Sequence, residues 1–315
     1  MLRTKIFSTF DKALSSGAVV WSDSTAHHTF AAGVNFQIRL AASLGKKPTA
    51  DRPHNDQSAA TEAPNPFLPY DPALFIEKFD KHNLLLNKFS IVRGHVLLTT
   101  KEFQSQLDPL NASDLEEAWK VMLAPGMLRY LSFYNCGPNS GASQPHKHLQ
   151  LIPESDDDQD QPFPPTEAIF IPESDSKERT GIAFAHEAFP FAHAVTILPP
   201  IPADPTAAGV LLETLYKQAL TKAFELASLN PGQCLNPSDD RSSQPSYNFI
   251  LTRTFMIVVP RLAEKAQGIS LNSVAFAGMM LVKSAEQLVF VKEKGPLQLL
   301  QEVAYPIHTH NQIFQ

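Results

Sequence analysis

The chain has 315 residues, 43% of them hydrophobic, a formal net charge of −6 and two cysteines, Cys136 and Cys234. That length supplies one large domain or two smaller ones with real cores. The acidic balance argues against an extended nucleic-acid or anionic-membrane surface, and two cysteines are too few for a zinc-ribbon frame and point to a reducing compartment.

In chain order, MLRTKIFSTF lacks the apolar core of a signal peptide. Arg3 and Lys5 leave a mitochondrial presequence open, but Asp11 and the spacing of Ile6, Phe7, Phe10 and Leu14 favour an ordinary first helix. Residues 41–70 are polar and Pro-rich and are read mostly as loop. His82 to Thr100 predicts two strands joined by a turn at Arg93-Gly94. Ser113-Asp-Leu-Glu116 has the form of a capping box, with its helix running through Trp119 and Met122. Leu128 to Tyr134 reads as a strand.

Residues 154–180 are acidic and Pro-rich and are expected to form a surface excursion between two halves, 1–153 and 181–315. The second half predicts a strand near residues 188–199 and a long helix from about Asp204 to Leu229, with Leu211, Leu215, Leu220 and Phe224 close to one face. SYNFILT, TFMIVVP and GMMLVK read as antiparallel strands, and residues 296–304 as a last short helix. Strands with grouped helices indicate an α+β fold. No apolar run approaches the roughly 20 residues of a membrane span. The expected setting is cytoplasmic, with the nucleus open, and the expected state a monomer.

The segment NCGPNSGASQPHKHLQLIP, residues 135–153, carries the chemistry. In a strand, alternate side chains share a face, so His146, His148 and Gln150 point one way and Lys147, Leu149 and Leu151 the other. A helix would scatter the three polar groups. The Gly/Ser loop before them can turn backbone N–H groups toward an anion, with Ser140, Ser143 and Gln144 adding donors. An imidazole beside a phosphate cradle can act as a nucleophile on phosphorus, and a second one can orient it or donate a proton. On the residues alone, three plainer readings stand beside this one. They are a zinc site completed by His186 and His193, a half-buried polar pair on a solvated sheet face, and a simple hairpin connection.

The run Asn135 to Gln150 resembles the signature of the diadenosine tetraphosphate phosphorylases, the fungal-type ATP adenylyltransferases of the histidine-triad superfamily, which also holds galactose-1-phosphate uridylyltransferase. The resemblance extends to LGKKP (44–48), LLLNKFSIV (84–92), SYNFILT with VVPR, and LNSVAFAGMMLVK (271–283). It implies an α+β fold whose antiparallel sheet carries the motif strand, and phosphorolysis of diadenosine tetraphosphate to ATP and ADP. It implies His148 as the adenylyl-accepting nucleophile, His146 as its support and Gln150 on the transferred phosphate. Asn135, Gly141, Ala142, Ser143 and Gln144 are implied to hold phosphates. Lys47, or Lys46 in the same doublet, would bind nucleotide or phosphate with Asn87 and Lys88 from the first half, and Asn272, Ser273, Val274, Met279 and Lys283 would do so from the second. Mg²⁺ would travel with the polyphosphate, since no protein cage is evident in the sequence. The rival readings are a histidine-triad hydrolase, which carries a third histidine where Gln150 stands, a sugar-phosphate uridylyltransferase, and a non-catalytic zinc scaffold.

Overall fold

Helix α1 (Leu2–Ser16) forms where the apolar spacing predicts it, burying Ile6, Phe10 and Ala13 and closing at Gly17 in the left-handed conformation. The computed structural model describes residues 1–46, 65–155, 161–171, 179–236 and 243–308, so the expectations for Lys47 and Pro48 lie outside the described residues. Strands β1 (Val20–Trp21), β2 (Thr25–Ala31), β3 (Val34–Leu40), β4 (Phe75–Lys78), β5 (His82–Leu86), β6 (Phe89–Ser90) and β7 (Val96–Thr100) precede α2 (Ala112–Leu123), β8 (Tyr130–Cys136) and β9 (His148–Pro153). The second half contributes α3 (Glu167–Phe170), β10 (Ala183–Phe184), β11 (Ala194–Ile197), α4 (Pro205–Leu226), α5 (Gly232–Leu235), β12 (Ser246–Leu251) and β13 (Phe255–Arg261). It ends with β14 (Lys265–Ala266), β15 (Ile269–Ser270), α6 (Ser273–Phe276), β16 (Met279–Val282), α7 (Ala285–Lys294) and α8 (Pro296–Val303).

The fold is α+β. Nine strands form one sheet in the order β10-β11-β13-β12-β8-β9-β7-β5-β4, every neighbouring pair antiparallel. Because β12 pairs with β8, strands from both halves of the chain complete a single sheet. Alternation along each strand divides the side chains between two faces. Leu84, Leu98, Leu149, Leu151, Tyr134 and Phe249 pack under helices α1, α2 and α4 through Ile6, Phe10, Trp119, Leu212 and Phe224. On the other face, Leu131, Phe133, Ile250 and Ile257 pack against a second layer built from Phe36, Ile38, Phe276, Met280, Val291 and Leu300. A separate small cluster, Phe67, Leu85 and Leu97, covers the β5–β7 end of that face. The functional groups lie between these two covers.

Several elements differ from expectation. The hairpin β2–β3 was not legible as such; it turns at Ala32 and Gly33, both with positive φ (47° and 80°), as a tight two-residue hairpin requires. The helix cap belongs to Asn111, whose side chain accepts from Ser113 and Asp114 N–H while Asp114 returns a bond to the Asn111 N–H, so the box sits two residues before Ser113. Helix α4 stops at Leu226 because Ser228 adopts a φ of 56°. GMMLVK supplies β16, which is not part of the large sheet: it runs parallel to β3 in a three-stranded sheet β16-β3-β2. Residues 161–171, expected on a surface excursion, insert Phe163 and Phe170 into the second core cluster. No helix among the described residues is long and apolar enough to cross a membrane.

Candidate functional site

Strand β8 ends in a loop that two glycines make possible. Gly137 has φ 88°, and a Cβ there would lie 2.9 Å from the Ser246 Cα; at Gly141, φ 83°, it would lie 2.9 Å from the Asn272 Cβ. The loop returns as β9, paired with β8 on one side and β7 on the other. Gln106 pins the start of β9: its Oε1 accepts from the His148 N–H at 2.9 Å and its Nε2 donates to Asn135 O at 2.8 Å.

His148 is 4% exposed, and its Nδ1 lies 2.8 Å from the carbonyl oxygen of His146. A carbonyl only accepts, so Nδ1 carries the proton and Nε2 keeps its lone pair. Burial lowers the His148 pKa to about 4, so the ring is neutral at physiological pH. The Phe67 ring packs against it with centroids 5.3 Å apart. His146 is fully buried and both its nitrogens are engaged: Nε2 donates to Thr100 O (2.9 Å) and Thr100 Oγ1 (2.8 Å), and Nδ1 accepts from Asn65 Nδ2 (2.9 Å). His146 therefore supports its neighbour through its backbone carbonyl, and its ring is held as a strut.

Gln150 is oriented by a residue the sequence reading missed. His95 Nε2 donates to Gln150 Oε1 at 3.0 Å, and Asn87 Nδ2 donates to His95 Nδ1 at 3.1 Å. This leaves the amide NH₂ of Gln150 as the end that can reach a ligand. Burial, with a smaller contribution from His148, lowers the His95 pKa to about 4. Lys147 points the other way, as the alternation predicts. Its Nζ donates to Asp114 Oδ2 (2.6 Å) and Pro109 O (2.7 Å), while Asp114 Oδ1 accepts from His82 Nε2 (2.8 Å). Burial opposes the charge on Asp114, but the His82 hydrogen bond and the Lys147 ammonium outweigh it and hold the carboxyl below its usual range.

A cavity of about 370 Å³ opens over this face, lined by Asn87, Lys88, Ser143, Gln144, His148 and Gln150, with Phe67, Tyr70 and Phe89 as aromatic wall. Other sequence-predicted residues lie elsewhere. Asn135 and Ser273 are buried against each other: Asn135 Oδ1 accepts from Ser273 Oγ (2.7 Å), Ser273 N (3.1 Å) and Asn248 Nδ2 (2.9 Å). Arg261, fully buried, donates in turn to Asn248 Oδ1. Asn272 Oδ1 caps α6 by accepting from Val274 N, and Val274 packs on the second core. These contacts join the Gly141–Ala142 loop to the 271–274 turn. Met279 lines a smaller cavity of about 170 Å³ with His28, Asn35, Gln37 and Phe163. Lys283 is exposed just beyond β16, where Val282 O accepts from Ala41 N, so the chain leading toward the lysine doublet departs beside it.

His186 and His193 pair with each other, His193 Nε2 accepting from His186 N at 2.9 Å. His193 precedes β11, four strands from β9, or about 19 Å at ~4.8 Å per strand, too far to share a metal with His148. Of the missed residues, His95 had a signal, since it shares strand parity with Leu97 and Thr99. Asn65, Phe67, Gln106 and Asn248 approach through long-range folding and had none.

Comparison with known proteins places these features in a family. The Ap4A phosphorylase N-terminal domain model matches residues 1–170 and the ATP adenylyltransferase C-terminal domain model matches residues 187–306. Diadenosine 5',5'''-P1,P4-tetraphosphate phosphorylase 2 of Saccharomyces cerevisiae is 30% identical over 279 residues, covering 80% of this chain and 78% of the yeast protein. Protein APA1 of the same yeast is 31% identical over 237 residues, covering 71% and 69%. The crystal structure of yeast Ap4A phosphorylase Apa2 superposes with a TM-score of 0.77, and that of its complex with Ap4A with 0.73, each at 27% identity over 98% of both chains.

Proposed function

The chain belongs to the Ap4A phosphorylase family, and we propose from that premise that it is a nucleotidyltransferase working through an adenylyl group carried on His148 Nε2. The reaction is phosphorolysis: diadenosine tetraphosphate and phosphate give ATP and ADP. The single observation that carries the assignment of the nucleophile is the Nδ1–H bond to the His146 carbonyl, which aims the Nε2 lone pair of a neutral ring toward the cavity.

Nε2 attacks the α-phosphorus of one adenosine end. The N–P bond forms, the bond to the bridging oxygen breaks, and ATP leaves. The ring becomes an imidazolium, whose positive charge strengthens the hydrogen bond from Nδ1 to His146 O. Phosphate then attacks the same phosphorus from the vacated side, and ADP leaves as His148 returns to neutrality. The Gln150 amide donates to a non-bridging oxygen of the adenylyl group throughout. Lys88, Asn87, Ser143 and Gln144 hold phosphate oxygens around the cavity. Asn272, Met279, Lys283 and the Lys46–Lys47 doublet receive the more distant part of the dinucleotide, and Asn135 and Ser273 serve by fixing the loop that carries Gly141 and Ala142.

The polyphosphate enters as its Mg²⁺ complex, the cation being part of the substrate. Among the described residues no group of three His, Cys, Asp or Glu side chains is placed to hold a metal. The working unit in this reading is a monomer.

The test is incubation with diadenosine tetraphosphate and Mg²⁺, with and without phosphate, followed by nucleotide separation. Equal ATP and ADP, formed only with phosphate, is the expected result. AMP and ATP released at a comparable rate without phosphate would make the protein a hydrolase.

A further inference from the structure

The segment from Asn65 to Tyr70 crosses the two catalytic-strand histidines as a strap. The Phe67 ring stands 5.3 Å from the His148 ring and 5.5 Å from the His146 ring, centroid to centroid, and is 7% exposed. Two fixings hold it there. At one end, Asn65 Nδ2 donates to His146 Nδ1 at 2.9 Å while Asn65 Oδ1 accepts from the Phe67 N–H at 3.0 Å. At the other, Phe67 packs with Leu85 and Leu97, and Tyr70, bridged to Phe67 through the backbone, stacks on Phe75 with centroids 5.3 Å apart. Pro66, Leu68 and Pro69 are exposed, so the strap turns its outer side to solvent and its buried ring to the nucleophile.

The imidazoles beside His148 are both committed. His146 accepts at Nδ1 from Asn65 and donates at Nε2 toward Thr100. His95 accepts at Nδ1 from Asn87 and donates at Nε2 to Gln150. Asp71, the carboxylate in the cavity lining, caps the turn Pro72–Leu74 by accepting from Ala73 N at 2.9 Å. Phosphate and water differ in what they need from such a site. A phosphate dianion brings its own charge and attacks the adenylyl phosphorus without losing a proton. Water must lose one, and where no side chain takes it the proton goes to a second water. An apolar cover that keeps a chain of waters away therefore slows hydrolysis far more than phosphorolysis.

We propose, resting on the phosphorolysis reading, that Phe67 is a specificity-determining residue that holds water off the adenylyl group on His148, and that His146 positions it through the Asn65 tether. The reaction it suppresses is simple. A water oxygen attacks the phosphorus, the O–P bond forms and the N–P bond breaks. The electron pair returns to Nε2, AMP leaves, and a proton of the attacking water passes to solvent.

The test charges the wild-type chain, Phe67→Ala, Phe67→Leu and Asn65→Ala with diadenosine tetraphosphate and Mg²⁺ in phosphate-free buffer. Decay of the adduct and release of AMP are followed, and phosphate is then added to read ADP formation. Phe67→Ala should shorten the life of the adduct roughly tenfold or more, equivalent to about 1.4 kcal/mol of barrier, and change the phosphate step by less. Phe67→Leu keeps an apolar cover and should stay near wild type, with Asn65→Ala between the two. A merely structural defect lowers the amount of adduct formed without shortening the life of what forms. A wild-type lifetime in Phe67→Ala, equal acceleration of the water and phosphate steps, or a Leu variant as leaky as the Ala variant overturns the proposal. So does loss of the adduct in both Phe67→Ala and Asn65→Ala, since the strap would then act in forming the intermediate. A second readout needs no reaction: carbethoxylation of His148 by diethyl pyrocarbonate, located by peptide mass mapping. It should be faster in Phe67→Ala and Asn65→Ala than in wild type and Phe67→Leu, and unchanged rates overturn the cover. Asn65→Ala leaves every core side chain in place and carries both readouts should Phe67→Ala not fold. A wild-type chain that forms no adduct refutes the phosphorolysis reading instead, and the carbethoxylation rates still decide whether Phe67 covers His148.

Discussion

The imidazole of His95 stands between Asn87 and Gln150 as a one-way relay, accepting at Nδ1 from Asn87 at 3.1 Å and donating at Nε2 to Gln150 Oε1 at 3.0 Å. The direction matters because an amide has one donating and one accepting end. With its oxygen held by His95, Gln150 can offer only its NH₂ to a bound phosphate.

His95→Ala should therefore impair catalysis through Gln150. A neutral hydrogen bond contributes about 0.5–1.5 kcal/mol, so kcat/KM should fall roughly 2- to 12-fold at ~1.4 kcal/mol per decade. In a double-mutant cycle with Gln150→Ala, the combined loss should be well below the sum. Full additivity in that cycle would show that His95 does not act through the amide.

Replacing the amide by a base should change the fate of the intermediate. An imidazole at position 150 can take a proton from water, which an amide cannot. Gln150→His should shorten the life of an acid-labile adenylyl adduct on His148 and raise AMP release without phosphate. The adduct is followed by the mass of the peptide spanning Pro145 to Pro153. A long-lived adduct and strict phosphate dependence in the variant would move the credit for suppressing hydrolysis to water exclusion by the cavity.

The nucleophile and the phosphate-binding cation should separate by magnitude. Removing a covalent nucleophile costs on the order of 10⁶-fold. Removing one charge-assisted hydrogen bond costs about 1.5–3 kcal/mol, roughly 10- to 150-fold at ~1.4 kcal/mol per decade. His148→Ala should be inactive, while Lys88→Ala, whose lysine lines the same cavity, keeps measurable turnover in the same assay. Equal losses would require the roles to be reassigned.

The pH dependence follows from three buried histidines, His95, His148 and His193, each lowered by burial from 6.5 to about 4. A depressed histidine pKa means the unfolded chain binds the proton more readily. The associated stability is complete above pH ~6.5, falls as pH drops toward 4, and does so by up to ~1.4 kcal/mol per pH unit for each histidine. Urea denaturation at pH 7.5, 6 and 5 should show this loss, with a slope smaller by about one proton in His148→Gln. The acid limb of kcat/KM should lie near pH 4, where Nε2 gains a proton. A limb near 6.5 would place the nucleophile in water.

The Lys147–Asp114 pair should behave as a buried charge pair behind the catalytic strand; both side chains are 1% exposed. Lys147→Met alone leaves Asp114 charged and underpaired, and should cost about 3–5 kcal/mol in chemical denaturation. Lys147→Met with Asp114→Leu should recover much of that loss. No recovery in the double variant would show that Asp114 matters chiefly as the cap of α2 and the partner of His82.

What the sequence by itself determined is local. The alternation His146, His148, Gln150 against Lys147, Leu149, Leu151 is set by the two-residue period of a strand, and Leu149 and Leu151 in the helix-covered core hold that register. Helix α1 and the long helix α4 were legible from apolar spacing, and the cap of α2 was misplaced by two residues because Asn111 and Ser113 are both good cap residues. Only the tertiary structure decided what meets across the chain. Asn65 comes to His146, Gln106 to His148 and Asn248 to Asn135, contacts that span 81, 42 and 113 residues. Nothing in the period of one segment encodes its distant partner. The same reason put β16 parallel to β3, drew Phe163 and Phe170 into the core, and turned Asn135 and Ser273 toward each other under the loop. Local propensity writes the strand that aims His148; long-range burial builds the walls around it.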